Sequence, residues 1–329
     1  MFNFKGGIFM EPVQQKKNVQ IYPSRTFYYP NDIFSKRLFE LTDDDYQQAL
    51  EERKVLNVTE KKNHRKFGGD IVTPFRIRID ENADFTITEA LDQFDFAVLC
   101  ACISEWNEGN RYTTPSIIYR AISGKVGDSD ANPSKDQLAD ILQSIDKLMR
   151  TQIGVNMTKA CEYLNYNDNK PYTVVSAILP CERVTKTTIN GQDATIIFFD
   201  RESPLWEISS HVKNNQILSC DTDLLDMPNR QNTRMNIAVK FYVLHRVIET
   251  IAHPKQMKPT ITFADAFHKL RIEKADRKIK QRVREFMLEY IEQLQVKKII
   301  DSFEITRSKS GNNFHSIRFT YSKKWHEIS

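Results

Sequence analysis

Nine consecutive residues, Asp276 to Arg284, hold five bases: Arg277, Lys278, Lys280, Arg282 and Arg284, with Gln281 among them. Arg and Lys reach guanine edges in a major groove, Gln reaches adenine, and all of them reach phosphate, so the set suits contact with double-stranded DNA. The stretch opens a predicted helix over about 275–296. Its apolar stripe of Ile279, Val283, Phe286, Tyr290 and Leu294 recurs at threes and fours and is expected to face a core. That stripe turns Arg277, Lys280, Gln281 and Arg284 outward and leaves Arg282 nearer the core-facing side. The second half of the helix carries Glu285, Glu289 and Glu292 instead. This polarity opposes the helix dipole, which favours acids at the N-terminus by about 0.3–1 kcal/mol per exposed charge. A helix shaped for stability alone would be written the other way, whereas one that enters a groove by its first turns needs this order.

Neighbouring residues agree. Arg307, Lys309 and Arg318 belong to two predicted strands and their turn, Ser310-Gly311-Asn312-Asn313, a hairpin suited to phosphate or minor-groove contact, with His315 near its tip. Arg230 and Arg234 begin an earlier helix and are expected near the DNA backbone. Residues 230–329 hold 21 Lys and Arg against 10 Asp and Glu, a charge of +11. Residues 1–229 hold 26 against 33, a charge of −7, so the total of +4 hides a strongly basic C-terminal third. Such asymmetry marks a module that meets a polyanion.

Catalytic patterns are missing. No G-x-x-x-x-G-K-[ST], H-x-H, H-E-x-x-H or G-x-S-x-G occurs, so no enzymatic activity and no cofactor or metal are expected. His268-Lys269-Leu270-Arg271 with Tyr290 or Tyr321 imitates the H-x-x-R and distal Tyr of tyrosine recombinases. Tyr290 falls on the core stripe and Tyr321 in a closing strand, however, which leaves neither as a mobile nucleophile. Cys100, Cys102, Cys161, Cys181 and Cys220 have no C-x-x-C spacing and are read as reduced core thiols. No apolar run approaches membrane-spanning length and Met1 to Met10 does not read as a secretory signal, so a cytoplasmic protein with no membrane contact is expected.

The elements that must position these groups follow from capping and periodicity. Residues 1–70 read as an arm and connector, with one helix over 42–55 and a basic cluster at 61–66 before Gly68-Gly69. Phe75 to Ile79 alternates as a half-buried strand. A helix over about 88–107 shows one apolar face, Thr114-Pro115 opens a short helix stopped by Gly124, and Ser134 with Gln137 caps a third helix ending near Arg150. Strands over 173–179, 185–189 and 194–199 follow, the last two joined across Asn190-Gly191, and Ser203-Pro204 opens another short helix. After the polar stretch 223–228 the grammar repeats: a helix from Asn232 or Thr233 to Ala252, a strand at 260–263, a brief helix capped by Thr262, the basic helix, and two strands. The expected fold is α+β, two tandem winged-helix domains over 71–228 and 229–329 behind an arm of residues 1–70. In the first domain Lys135, Lys147 and Arg150 are balanced by Asp136, Asp140 and Asp146 on the third helix, which suits dimerisation or docking, with Arg120 and Lys125 near phosphate reach.

This arrangement resembles the replication initiator proteins of theta-replicating, iteron-containing plasmids over roughly residues 71–322. The likeness rests on domain order and on Asn232-Thr233-Arg234-Met235-Asn236-Ile237 and Asp276-Arg277-Lys278-Ile279-Lys280-Gln281-Arg282-Val283-Arg284. The resemblance implies binding to repeated origin sites, local duplex opening with host replication proteins, a monomer–dimer switch governed through the first domain, and residence with plasmid or nucleoid. A transcriptional regulator on a promoter palindrome is the competing reading, and an architectural or partition protein a third.

Overall fold

The computed structural model describes residues 23–40, 56–58, 75–79, 90–156, 173–187, 193–211, 216–228, 230–307 and 314–321. The helix expected over 42–55, the cluster at 61–66, Cys161, Asn190-Gly191 and the turn at 310–313 with Lys309 lie outside them. In chain order come β1 (Thr26–Pro30), α1 (Ile33–Leu38), β2 (Leu56–Val58), β3 (Phe75–Ile79), α2 (Gln93–Asn107), β4 (Tyr112–Thr113), α3 (Pro115–Ser123) and α4 (Lys135–Arg150). Next are β5 (Thr151–Asn156), β6 (Thr173–Ala177), β7 (Cys181–Thr187), β8 (Asp193–Phe199), α5 (Pro204–His211) and β9 (Ile217–Asp221), followed by a 3-10 turn at Thr222–Leu225. The chain closes with α6 (Arg234–Ala252), β10 (Thr260–Thr262), α7 (Phe263–Lys269), α8 (Arg277–Val296), β11 (Ser302–Arg307) and β12 (Phe314–Thr320). Helices and small, separate antiparallel sheets make this an α+β protein.

One order occurs twice. A first unit runs α2, β4, α3, α4, then the hairpin β7–β8, and its sheet has the order β4-β8-β7. A second unit runs α6, β10, α7, α8, then β11 and β12, in the order β10-β12-β11. In both, the last strand lies in the middle, and the first strand pairs with it through a buried residue: Thr113 opposite Ile197, Ile261 opposite Ile317. The first unit additionally carries β5 and β6 between its third helix and its hairpin, completing a four-stranded sheet β2-β3-β5-β6.

Local chemistry places each helix. Thr114 accepts from the Ile117 amide at the start of α3, with Pro115 in the first helical position, and Ser134 and Gln137 close the capping box of α4. Asp276 accepts from the Ile279 amide at 2.8 Å to open α8. Helix α2 departs from the one-faced expectation: every residue from Gln93 to Glu105 is buried. Its sequence is apolar on nearly all sides, and α4, α6 and β1 surround it. β1 corrects the reading of residues 1–70 as an appended arm. It pairs with β9 in the register Thr26 to Asp221, and Phe27 and Tyr29 are fully buried against Phe241 of α6. Burying two aromatic side chains contributes several kcal/mol, which is why a short, proline-flanked segment is held at the centre of the molecule.

Candidate nucleic-acid interface

The core contacts of α8 begin one turn later than its sequence pattern suggests. Val283, Phe286, Met287, Tyr290, Ile291 and Leu294 are buried, but Ile279 is 40% exposed. The first turn therefore has no core contact, and in the second only the outward face is free. Arg277, Lys278, Gln281 and Arg282 are all exposed there. They form two adjacent rows, 277 with 281 and 278 with 282, each pair one turn apart. Gln281 Nε2 donates to Glu285 Oε1 at 2.9 Å, so Glu285 closes the basic surface at its C-terminal side. Lys280 is half-buried and its ammonium donates to the Glu273 carbonyl.

The expected roles of Arg282 and Arg284 are exchanged. Arg284 is half-buried; its guanidinium lies 5.0 Å from the ring centroid of Phe267 and 5.7 Å from that of Phe263, both in or at the start of α7. Its Nε is buried with no hydrogen-bond partner among the described residues. Arg284 thus packs α8 onto α7 through cation–π contact. Arg282, expected nearer the core, faces solvent. The core stripe is centred between Val283, Tyr290 and Leu294, not on Ile279, and that shift turns the helix enough to swap the two arginines.

On the hairpin, Arg307 and Arg318 are exposed. Arg318 and Glu304 stand opposite one another in the β11–β12 register, 3.4 Å apart and both largely solvated, an arrangement of little energetic weight. Lys309 lies outside the described residues. Arg234 sits elsewhere. It donates to Asp92 Oδ2 at 2.8 Å, lies 3.4 Å from Asp95 Oδ1 and stacks 4.5 Å from the Phe94 ring centroid. The residue expected at the DNA backbone instead joins the start of α6 to the start of α2. Lys147 of α4 adds a second cation 3.6 Å from Asp95. Burial and the neighbouring Asp92 raise the Asp95 carboxyl to about 6, while for Asp92 burial acts in the same direction but the charge and hydrogen bond of Arg234, the Asp95 amide and Lys147 together hold it below the usual carboxylate range.

The remaining groups are accounted for internally. Tyr290 is fully buried and its hydroxyl donates to the Leu224 carbonyl at 2.9 Å, while His268 Nδ1 meets Glu273 at 3.0 Å on the surface. A cleft of about 540 Å³ lies between α1, α6, β10 and α7. Its charges are matched within it: Glu249 takes Lys36 at 2.8 Å and Arg246 at 3.2 Å, Lys269 takes Glu40, and Tyr242 donates to Asp265 at 2.7 Å. Cys100, Cys102, Cys181 and Cys220 are free thiols, the first three buried. Among the described residues no cluster of three or more His, Cys, Asp or Glu could hold a metal ion, and no helix is long and apolar enough to cross a membrane.

No family model matches this chain, and no curated protein does. Among solved structures, a crystal structure of domains 2 and 3 of RctB overlays with a TM-score of 0.39 at 11% identity, covering 84% of this chain and 93% of that one. A selenomethionine form of the same two domains overlays at 0.34 and 11%, covering 76% and 86%. Overlap of this quality carries neither a fold family nor a function to the chain, so its own side chains must supply the reading.

Proposed function

We propose that this chain is a double-stranded-DNA-binding replication initiator of the plasmid-origin type, built from two tandem winged-helix domains and without enzymatic activity of its own. The observation that carries the proposal is the pair of exposed rows on the first turns of α8: Arg277 with Gln281, Lys278 with Arg282. A helix whose first turn is free of core contacts and whose second turn keeps Gln281 and Arg282 outward can enter a major groove, with Arg and Gln on base edges and Lys on phosphate. The winged-helix assignment is supported by the repeated helix-strand-helix-helix-hairpin order and by the same sheet permutation in both units. Arg307, Lys309 and Arg318 then contact phosphate alongside α8, and Arg284 supports the reading helix without reading.

The first unit takes a protein-facing role, towards a second copy or host replication proteins. Its third helix has no basic field, since Arg183 of β7 is bound to Asp146 of α4 at 2.7 Å, and it exposes the paired rings of Tyr112 and Phe198. The protein would reside in the cytoplasm on plasmid or nucleoid DNA.

Two measurements test the proposal. Selection of duplexes by the whole chain from a random pool, titrated at two salt concentrations, is expected to return a preferred sequence with a steep salt dependence. A marker fragment supplied with the gene and its adjacent direct repeats should replicate. Recovery of a single promoter palindrome, with no replication of the fragment, would establish the regulator instead.

A further inference from the structure

The two units meet through contacts that repeat in order. In each, the second helix of the unit ends in a left-handed residue: Gly124 after α3, with φ 78°, and Arg271 after α7, with φ 55°. Each of these residues is pressed against the segment leading into the first helix of the other unit. A Cβ on Gly124 would lie 2.0 Å from the Asp226 amide nitrogen, so the backbone there approaches as only glycine permits. Arg271 makes the reciprocal contact with its side chain, Nη1 donating to the Ala90 carbonyl at 2.9 Å and Nη2 to the Leu91 carbonyl at 2.5 Å. An arginine in the left-handed region is strained, and glycine would relieve the strain. The side chain is the part of Arg271 that glycine cannot supply.

We infer that Arg271 is a positioning residue for the α8 reading surface, fixing the turn between α7 and α8 to the first unit so that unit sets the angle at which α8 meets DNA. The inference rests on the DNA-binding reading above and adds a role for the first unit in sequence discrimination. Only five residues separate Arg271 from Arg277, the first residue of α8. Between them the Ala275 amide donates to the Ile272 carbonyl at 3.0 Å, and the Lys280 ammonium of α8 donates back to the Glu273 carbonyl, so the turn is tied to the start of α8. Arg234, bound to Asp92 and Asp95, holds the same end of α2. The start of α2 is thus held by two guanidinium groups from the second unit, one on its carbonyls and one on its carboxylates. Orientation of a donor set to within fractions of an ångström is what separates base readout from phosphate contact, so release of this anchor acts on discrimination more than on affinity for DNA in general.

Arg271→Gly in the full chain is the test, because it removes the side chain while relieving the left-handed strain. Affinity is measured for a duplex selected by the wild-type protein and for a scrambled duplex of the same composition, and amide hydrogen exchange is followed over 272–282. The expected result is about a tenfold loss in the ratio of selected to scrambled affinity, with scrambled affinity and melting temperature nearly unchanged and faster exchange across 272–282. Arg271→Lys, which keeps the charge but replaces the two-armed guanidinium by a single shorter-reaching ammonium, should retain more of the ratio than Arg271→Gly. An unchanged ratio in Arg271→Gly overturns the inference whatever the exchange shows. Should the wild-type chain select no duplex, the DNA-binding reading fails by itself, and exchange alone decides the anchor: unchanged exchange across 272–282 overturns it, and faster exchange supports it.

Discussion

The third helices α4 and α8 stand at the same place in two units of the same order and present opposite surfaces. In α4, Lys147 is buried beside Asp95, Asp146 is bound to Arg183, and Gln137 Nε2 donates to the Asn232 carbonyl at 2.7 Å. One of its charges meets the neighbouring helix and one its own hairpin, and a neutral amide reaches the other unit. In α8 the basic residues of the first two turns are left in solvent, apart from Lys280 and Arg284, which serve the turn and α7. One scaffold has thus been turned inward in the first unit and outward in the second. The second helix ends differ in the same sense: where the first unit uses a glycine to let the Asp223–Asp226 stretch approach, the second uses an arginine to reach across.

The largest effect that should break this comparison is at Gly124. Gly124→Val places side-chain atoms inside the backbone of Leu225 and Asp226 and forces a left-handed β-branched residue, and it should cost about 4 kcal/mol or more of stability in urea denaturation. A loss below about 1 kcal/mol would mean that the contact between the units yields easily, contrary to tight packing.

Lys240 comes next. Its buried ammonium donates to the Leu225 carbonyl at 2.7 Å, Asn232 Oδ1 at 2.8 Å and the Ser123 carbonyl at 3.3 Å, tying α6 to both the end of α3 and the 3-10 turn. Lys240→Met keeps the volume and orphans these acceptors, for an expected loss of roughly 2–3 kcal/mol. Burial depresses this lysine from its ordinary value of 10.5 to about 7. The unfolded chain therefore binds the proton more readily between about pH 7 and 10.5, and the stability set by this group rises with pH across that window. Denaturation at pH 7 and pH 9 should show that rise in the wild-type protein and a smaller one in Lys240→Met.

On DNA, Arg282→Ala is expected to cost about 1–3 kcal/mol and to relax preference at one base position. Arg284→Ala should lower stability through lost packing on Phe263 and Phe267. Arg318→Ala should weaken all sequences alike and flatten the slope of log affinity against log salt by about one unit. Binding titrations at two salt concentrations separate the three, and relaxed preference from Arg284→Ala with none from Arg282→Ala would restore the helical facing inferred from the sequence.

The smallest effect concerns the far end of the same helices. α4 runs directly into the extended Thr151, whereas α8 closes through the left-handed Lys298, φ 61°, with Ile299 donating back to the Leu294 carbonyl at 2.9 Å. Lys298→Gly should therefore raise stability by about 0.5–1 kcal/mol in thermal denaturation, since glycine adopts that conformation without the Cβ penalty.

Local chemistry written in the sequence determined the helices of both units, whereas the pairing of their strands, including β4 at Tyr112–Thr113, was left to tertiary structure. Thr114-Pro115, Ser134 with Gln137, Thr262 with Asp265 and Asp276 each satisfy amides in their own first turn, and such caps require no distant partner. The basic opening of α8 was equally legible, because charge order against the helix dipole is visible within one helix. What tertiary structure decided was facing and partnership. Ile279 continues a perfect three-and-four spacing yet has no core to enter, since the packed body ends at Val283, and this exchanged Arg282 for Arg284. Arg234 and Arg271 find Asp92, Asp95 and the carbonyls of Ala90 and Leu91 from about 140 to 180 residues away in the chain, a pairing that no periodicity encodes. β1 was missed for the same reason: a five-residue strand is held by Phe241 and by its register with β9, partners about 200 residues further along the chain, and burial against distant residues outweighs anything its own sequence displays.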